Sequence, residues 1–299
     1  MKKKVEKDAK PKAPKKPAPV ADPGLEPVES ATKDEVLAAS KMQPEEARLL
    51  VDTYYTMQRG RIRAGNQIGA VQREVDEQAE LPTLAYAREN FGKVEKQLVR
   101  ALKVYAESSV AGRWLLGVRG IGPVLAAGLL AHVDPAQCTT AGKLWRFAGL
   151  DPTTKWERGK KRPYNAALKV LCWKIGESFK RLGGDDGSLY AKLYRDRKVF
   201  EVANNESGKL ADQALARLER ATKEKWRISP EQRETWASGK LQAVGLDLRA
   251  TRYAVKIFLS HFQAVAFELH FHEKAPRPWI IQYGGHADEI AIPNWPMKE

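Results

Sequence analysis

Apolar residues at steps of three, four or seven run almost without a break from Leu50 to Tyr105, and that spacing commits the early part of the chain to long helices. Leu50, Tyr54, Met57, Ala64, Ile68, Val71 and Val75 predict one amphipathic helix from Pro44 to about Asp76. Beyond Leu81-Pro82, the stripe of Leu84, Ala87, Phe91, Val94, Leu98, Ala101 and Tyr105 predicts a second. The short connection between them implies an antiparallel, coiled-coil-like hairpin over residues 31–110, with arms of roughly 40 Å at ~1.5 Å per residue. A hairpin of this kind also suits self-association, so a homo-oligomer is one expectation.

Further helices are predicted from Asn165 to Arg181, closed by Gly183-Gly184, from Ser188 to about Val202 and from Leu210 to Trp226. Ser229-Pro230 opens a short one, and the last runs from Asp247 to about Phe271. No stretch alternates strand and helix signals. The expected fold is therefore mostly α, with C-terminal helices over 183–272. Residues 273–299, punctuated by Pro276, Pro278, Gly284, Gly285, Pro293 and Pro296, are expected as an extended aromatic tail packed on the helices.

Charge is distributed unevenly. The 299 residues hold 51 Lys+Arg against 37 Asp+Glu, a net +14, which favours a polyanionic partner. One basic segment is the Lys-, Pro- and Ala-rich stretch at the start, which lacks the apolar surface to offset the entropy of ordering, so residues 1–30 are expected as a disordered tail. The other spans 111–182, where 13 basic residues are interleaved with Trp114, Trp145, Phe147, Trp173 and Phe179. That pattern predicts a folded basic module. Cys138 and Cys172 are too few for a disulfide framework, Lys2, Lys3 and Lys4 are followed by no apolar leader, and no run of 18 apolar residues occurs. A cytoplasmic protein with no membrane association is expected.

The sharpest local signal is Leu115-Leu116-Gly117-Val118-Arg119-Gly120-Ile121-Gly122-Pro123-Val124-Leu125. A short helix ends near Val118, Gly120 permits positive φ, Ile121 anchors the turn, Gly122 lets a ligand approach the main chain, and Pro123 opens the next helix. Unsatisfied amides at such a turn favour a phosphate oxygen without reading a base. The same sequence would also make a helical corner used for packing or for a protein contact. Farther on, Lys155-Trp156-Glu157-Arg158-Gly159-Lys160-Lys161-Arg162-Pro163-Tyr164 is a basic loop whose cations can neutralise phosphates and whose Trp156 or Tyr164 can stack on a base, unless it is only a solvated loop around one core tryptophan. Arg119, Gly120, Ile121, Gly122, Val124, Lys143, Lys155, Trp156, Arg158, Lys160, Lys161 and Arg162 are the residues expected to contact DNA.

The order of parts resembles the C-terminal domain of the DEDD insertion-sequence transposases, relatives of the Piv-type invertases and bridge-RNA recombinases. A Gly-Ile-Gly-Pro helix-hairpin-helix, an Ala-Gly-x-Leu helix ending in Ala148-Gly149-Leu150-Asp151-Pro152, a basic loop and a helix follow in that order, over about Phe91 to Lys198. The resemblance implies DNA binding in recombination or transposition, with a serine nucleophile in this domain and a metal site in a separate RuvC-like domain. Two features depart from it. Residues 1–110 carry no strand pattern for a RuvC-like sheet, and Leu150 to Gly176 holds no serine, only the hydroxyls of Thr153 and Thr154 besides Tyr164. A DNA-binding relative without the complete recombinase chemistry is therefore expected. The alternatives are an active transposase, alone or with a partner nuclease, whose nucleophile would be Thr153 or Thr154, and a non-catalytic protein scaffold. RNA fits the same main-chain phosphate chemistry as DNA.

His261, His270, His272 and His286 fall in one C-terminal stretch, but no cysteine accompanies them, and helix-end or packing roles are commoner than metal binding. Asp185-Asp186 read as turn or cap residues before the next helix. No P-loop, Rossmann glycine pattern or H-E-x-x-H occurs, and no cofactor is expected.

Overall fold

The computed structural model describes residues 26, 28–75, 77–154, 156–157, 159–278 and 289–297. These form eleven α-helices and one 3-10 turn, with no strand among the described residues. The first helix, α1 (Lys33–Ala38), is opened by a reciprocal cap: the Thr32 hydroxyl accepts the Glu35 amide at 3.3 Å, and the Glu35 carboxylate accepts the Thr32 amide at 2.7 Å. Residues 1–25 and 27 of the expected disordered tail lie outside the described residues, but part of its end is docked. The Val28 amide donates to Asn90 Oδ1 at 3.0 Å, and the Tyr86 hydroxyl donates to the Glu26 carbonyl. The apolar-stripe reading passed over α1 because six residues are too few to show a period.

The hairpin pairs α2 (Pro44–Glu74) with α3 (Pro82–Glu107) in antiparallel fashion. The helices approach closely where Gly60 faces Phe91, since a Cβ there would lie 3.0 Å from the ring. Beside that contact Arg61 clasps the buried Glu95 with two bonds of 2.5 and 3.2 Å, a polar pair inside what the sequence shows as an apolar seam. At its base the hairpin is covered by the same chain. Ala47, Val51, Leu102 and Tyr105 pack on Val124, Ala127 and Ala131 of α5 (Pro123–His132), after the short α4 (Val110–Gly117).

The remaining helices are α6 (Ala141–Phe147), α7 (Ala166–Arg181), α8 (Leu189–Glu206), α9 (Ala211–Lys223), α10 (Pro230–Ala237) and α11 (Ala243–Phe271). Compared with the sequence expectation, α8 continues past Val202, α11 starts before Asp247, and α9 stops short of Trp226 because Lys225 turns to φ 52°. The main core gathers around α11. Phe258 stacks on Trp114 with centroids 6.3 Å apart and meets Phe179 and Tyr190 edge-on. Asp247 ties three helices together, accepting from Lys180 (2.7 Å), Lys198 (2.9 Å) and the Tyr194 hydroxyl. Burial opposes its ionisation, but these bonds prevail and bring the carboxyl down to about 2.

The described end of the chain, 289–297, lies against this core. The Trp114 indole donates to the Pro293 carbonyl at 2.8 Å, and Trp295 donates to Glu268 at 2.7 Å. His261 Nε2 donates to the Ile290 carbonyl at 3.0 Å while its Nδ1 accepts the Tyr190 hydroxyl at 2.8 Å. No helix among the described residues is long and apolar enough to cross a membrane.

Candidate nucleic-acid interface

The turn at Gly120 is built by packing on α7. Gly120 adopts φ 98°, and a Cβ there would come within 3.0 Å of Leu182 and 3.1 Å of Phe179, so glycine is required both by conformation and by space. Its carbonyl accepts the Ser178 hydroxyl at 2.6 Å, and Ile121, only 4% exposed, bonds back to Val118 at 2.9 Å. Burying that side chain stabilises the turn by about 2 kcal/mol. Gly122 then serves as N-cap of α5 with φ −88° and ψ 175°, and Pro123 follows at the first helical position.

Three amides of this turn, those of Gly122, Val124 and Leu125, have no acceptor among the described residues. They belong to residues lining a cavity of about 410 Å³ between α2, α5 and α7. A Cβ on Gly122 would meet nothing within 4 Å, so the main chain is open to a ligand on that side. Tyr55, Gln58, Trp173, Lys174 and Arg181 edge the cavity. Its one acidic liner, Glu177, is paired with Lys180 at 3.2 Å. The Lys174 ammonium stands 3.7 Å from the Tyr55 ring centroid, and burial, then the charge of Arg59, lower its pKa. Trp173 is 55% exposed.

Sequence reading did not place Trp173, Lys174 and Arg181 at this site. The available signal was helical position, since 173, 174, 177 and 181 lie off the buried stripe of Leu168, Leu171, Cys172, Ile175 and Phe179 on α7. Arg119, by contrast, is held away from a free role by a 2.6 Å ion pair with Asp185, whose carboxylate also accepts the Gly187 amide as a turn residue.

The basic loop stands at the other end of α7. Lys155 and Arg158 lie outside the described residues. The Trp156 indole donates to the Lys160 carbonyl at 2.8 Å, the Arg162 guanidinium lies 5.5 Å from its ring, and the residue is 40% exposed. Lys160 pairs with Glu157 at 2.8 Å, whereas Lys161 has no partner among the described residues. Tyr164 instead packs against Gly149 and carries the Lys169 ammonium 4.3 Å from its centroid, so of the two aromatics Trp156 is the accessible one. From the start of α7 to Ser178 is about 18 Å at ~1.5 Å per residue, so loop and turn are not one cluster. Lys169, Val170, Trp173 and Arg181 connect them along the exposed face of α7. Lys143 stays near its own helix start, donating to the Thr139 hydroxyl at 2.8 Å.

Thr153 and Thr154 both donate to Asp151, at 2.7 and 3.2 Å, and the Thr153 amide adds a third bond at 2.9 Å. These bonds, the Thr153 hydroxyl's first, hold the Asp151 carboxyl below its ordinary range, which makes it a poor proton acceptor. Among the described histidines, His261 has both ring nitrogens engaged within the core, and burial pushes it down to about 4. His272 closes α11 in the left-handed conformation and His270 packs edge-on against Phe271. No group of three metal-ligating side chains occurs among the described residues, and His286 lies outside them.

Residues 112–166 match the family model of the IS116/IS110/IS902 transposases. The matched segment contains most of α4, all of α5 and α6 and the basic loop, and it ends where α7 begins. No curated protein and no solved structure matches the chain.

Proposed function

We propose that this chain, built around a transposase-family segment, binds duplex DNA in recombination or transposition through contacts to the phosphate backbone. The observation that carries the reading is the set of unpaired amides at Gly122, Val124 and Leu125, opening into a cavity edged by Lys174 and Arg181. Because α7 separates turn and loop by about 18 Å, a duplex lying along it would meet the two about five base pairs apart at ~3.4 Å per pair. Phosphate contact then dominates, so binding falls steeply with salt and depends little on sequence. Fluorescence anisotropy of a labelled duplex across a salt series tests this. The double charge reversal Lys174→Glu with Arg181→Glu is expected to weaken binding at least tenfold, and an unchanged affinity in the folded variant would remove the turn from the interface.

The match to a transposase family model makes strand cleavage a second reading; the hydroxyls available for it are those of Thr153 and Thr154, both of which donate to Asp151. Supercoiled DNA incubated with Mg²⁺ or Mn²⁺ separates the two. A nick lost on changing both threonines to alanine would establish cleavage, whereas binding without nicking leaves a DNA-binding protein. Self-association through the hairpin would have to use its upper half, since α5 covers the base; sedimentation tests it.

A further inference from the structure

Outside the family segment, α9, α10 and the first turns of α11 line a second recess of about 640 Å³, within the range of small-ligand pockets. Four arginines line it, Arg217 and Arg220 from α9 and Arg249 and Arg252 from α11, and no carboxylate does. Their partners are unequal. Arg249 is fixed by the buried Glu201 at 2.6 Å and by Gln213 at 2.8 Å, and Arg220 pairs with Glu224 at 2.7 Å. Arg217 and Arg252 have neither ion pair nor hydrogen bond among the described residues; Arg217 lies 5.3 Å over the ring of Trp236. Arg252 is exposed overall, yet its guanidinium is desolvated enough that burial, then the charges of Arg249 and Arg217, lowers its pKa.

Glu201 and Glu224 compensate two of these cations, and Arg217 and Arg252 leave the recess with positive charge that a bound anion would meet. The rim adds a second chemistry. Trp226 is 39% exposed and held by its indole bond to Glu224 at 2.9 Å, and Leu248 and Val244 beside it are also exposed. The Arg220 guanidinium, paired with Glu224, lies 5.5 Å from that indole's centroid. An indole fixed in one recess with the unpaired Arg217 and Arg252 suits an unpaired base held together with its own phosphate. We infer that the recess between α9, α10 and α11 binds single-stranded nucleic acid, its phosphates on Arg217 and Arg252 and a base on Trp226. This site is separate from the proposed duplex surface and independent of it.

Anisotropy with labelled oligothymidine and oligouridine of about twelve nucleotides, a length within the usual site-size range, tests the inference on the full chain. Changing both Arg217 and Arg252 to Gln is expected to weaken single-strand binding at least tenfold and to reduce the salt slope by about 1.4, at ~0.7 per phosphate. Trp226→Ala is expected to weaken it about tenfold, with Trp226→Phe recovering most of the loss. Duplex affinity should hold in these variants, and Arg252→Gln should keep or raise the Tm, because it relieves like-charge crowding. Preference for one oligonucleotide assigns the strand as DNA or RNA, and equal binding assigns a site blind to the sugar. Unchanged single-strand affinity, a parallel loss of duplex affinity, or a Tm lowered by Arg252→Gln would each overturn the proposal.

Discussion

On the proposed reading, the two ends of α7 differ in what they offer a phosphate. At its C-terminal end the turn offers main-chain amides, and the backbone there is fixed by distant contacts: Gly120 under Phe179 and Leu182, and its carbonyl on Ser178. At its N-terminal end the loop offers long cationic side chains, and what holds it is local, with the indole of Trp156 bonded to the carbonyl of Lys160 and Lys160 paired with Glu157. A main-chain site cannot be retuned by changing one side chain without disturbing the fold. A side-chain site can, so on the proposed reading the loop is where affinity and salt response vary freely.

The largest expected effect tests whether the turn depends on its packing. Gly120→Ala combines a positive φ with overlap on the buried Phe179 and the half-buried Leu182, so it should cost about 2–4 kcal/mol in a denaturant titration. Gly159→Ala in the loop also meets a positive φ, 91°, but nothing within 4 Å, and should cost only about 1 kcal/mol. Equal losses would abolish the distinction between the two ends.

Changing Lys160, Lys161 and Arg162 to alanine should lower the salt slope of duplex binding by about 2, less than three phosphates' worth because Lys160 is already paired. The Tm should stay where it is, and an unchanged slope would exclude the loop from the interface.

Gly122→Ala sharpens the comparison from the other side. Its φ is ordinary and the added methyl enters open space, so stability should change by less than about 0.5 kcal/mol while duplex affinity falls about fivefold. Retained affinity would mean that no ligand approaches the main chain there. The smallest effect is expected for Trp156→Ala, about threefold on duplex and more on single strands, since a base pair leaves little free ring face for stacking.

The long helices and the turn were legible because their signals are local. The period of the hairpin, Pro123 after Gly122 and Ser229 before Pro230 each act within a few residues, and the structure uses each of them. What escaped was whatever depends on distant partners. The pair of Arg61 with Glu95 joins two helices, and a hydropathy period cannot register it. The separation of turn and loop by the length of α7 is invisible when both fall inside one basic window. The arginine recess is hidden more thoroughly. Residues 183–299 look nearly neutral because acids such as Asp196, Glu206 and Glu231 balance the arginines in composition but do not line the recess. Net charge averages over sequence, whereas a ligand samples it locally.

The bond from the Trp114 indole to the Pro293 carbonyl spans 179 residues, and His261 waits on Ile290 in the same way. A nascent chain emerging from the ribosome can therefore assemble α4 and α5 early but must leave a core indole without its acceptor until the 179 residues between the partners have been synthesised. Maturation of the core is thereby timed by the arrival of the stretch from Ile290 to Pro293, and a chaperone guarding the interval would find its vulnerable surface around Trp114.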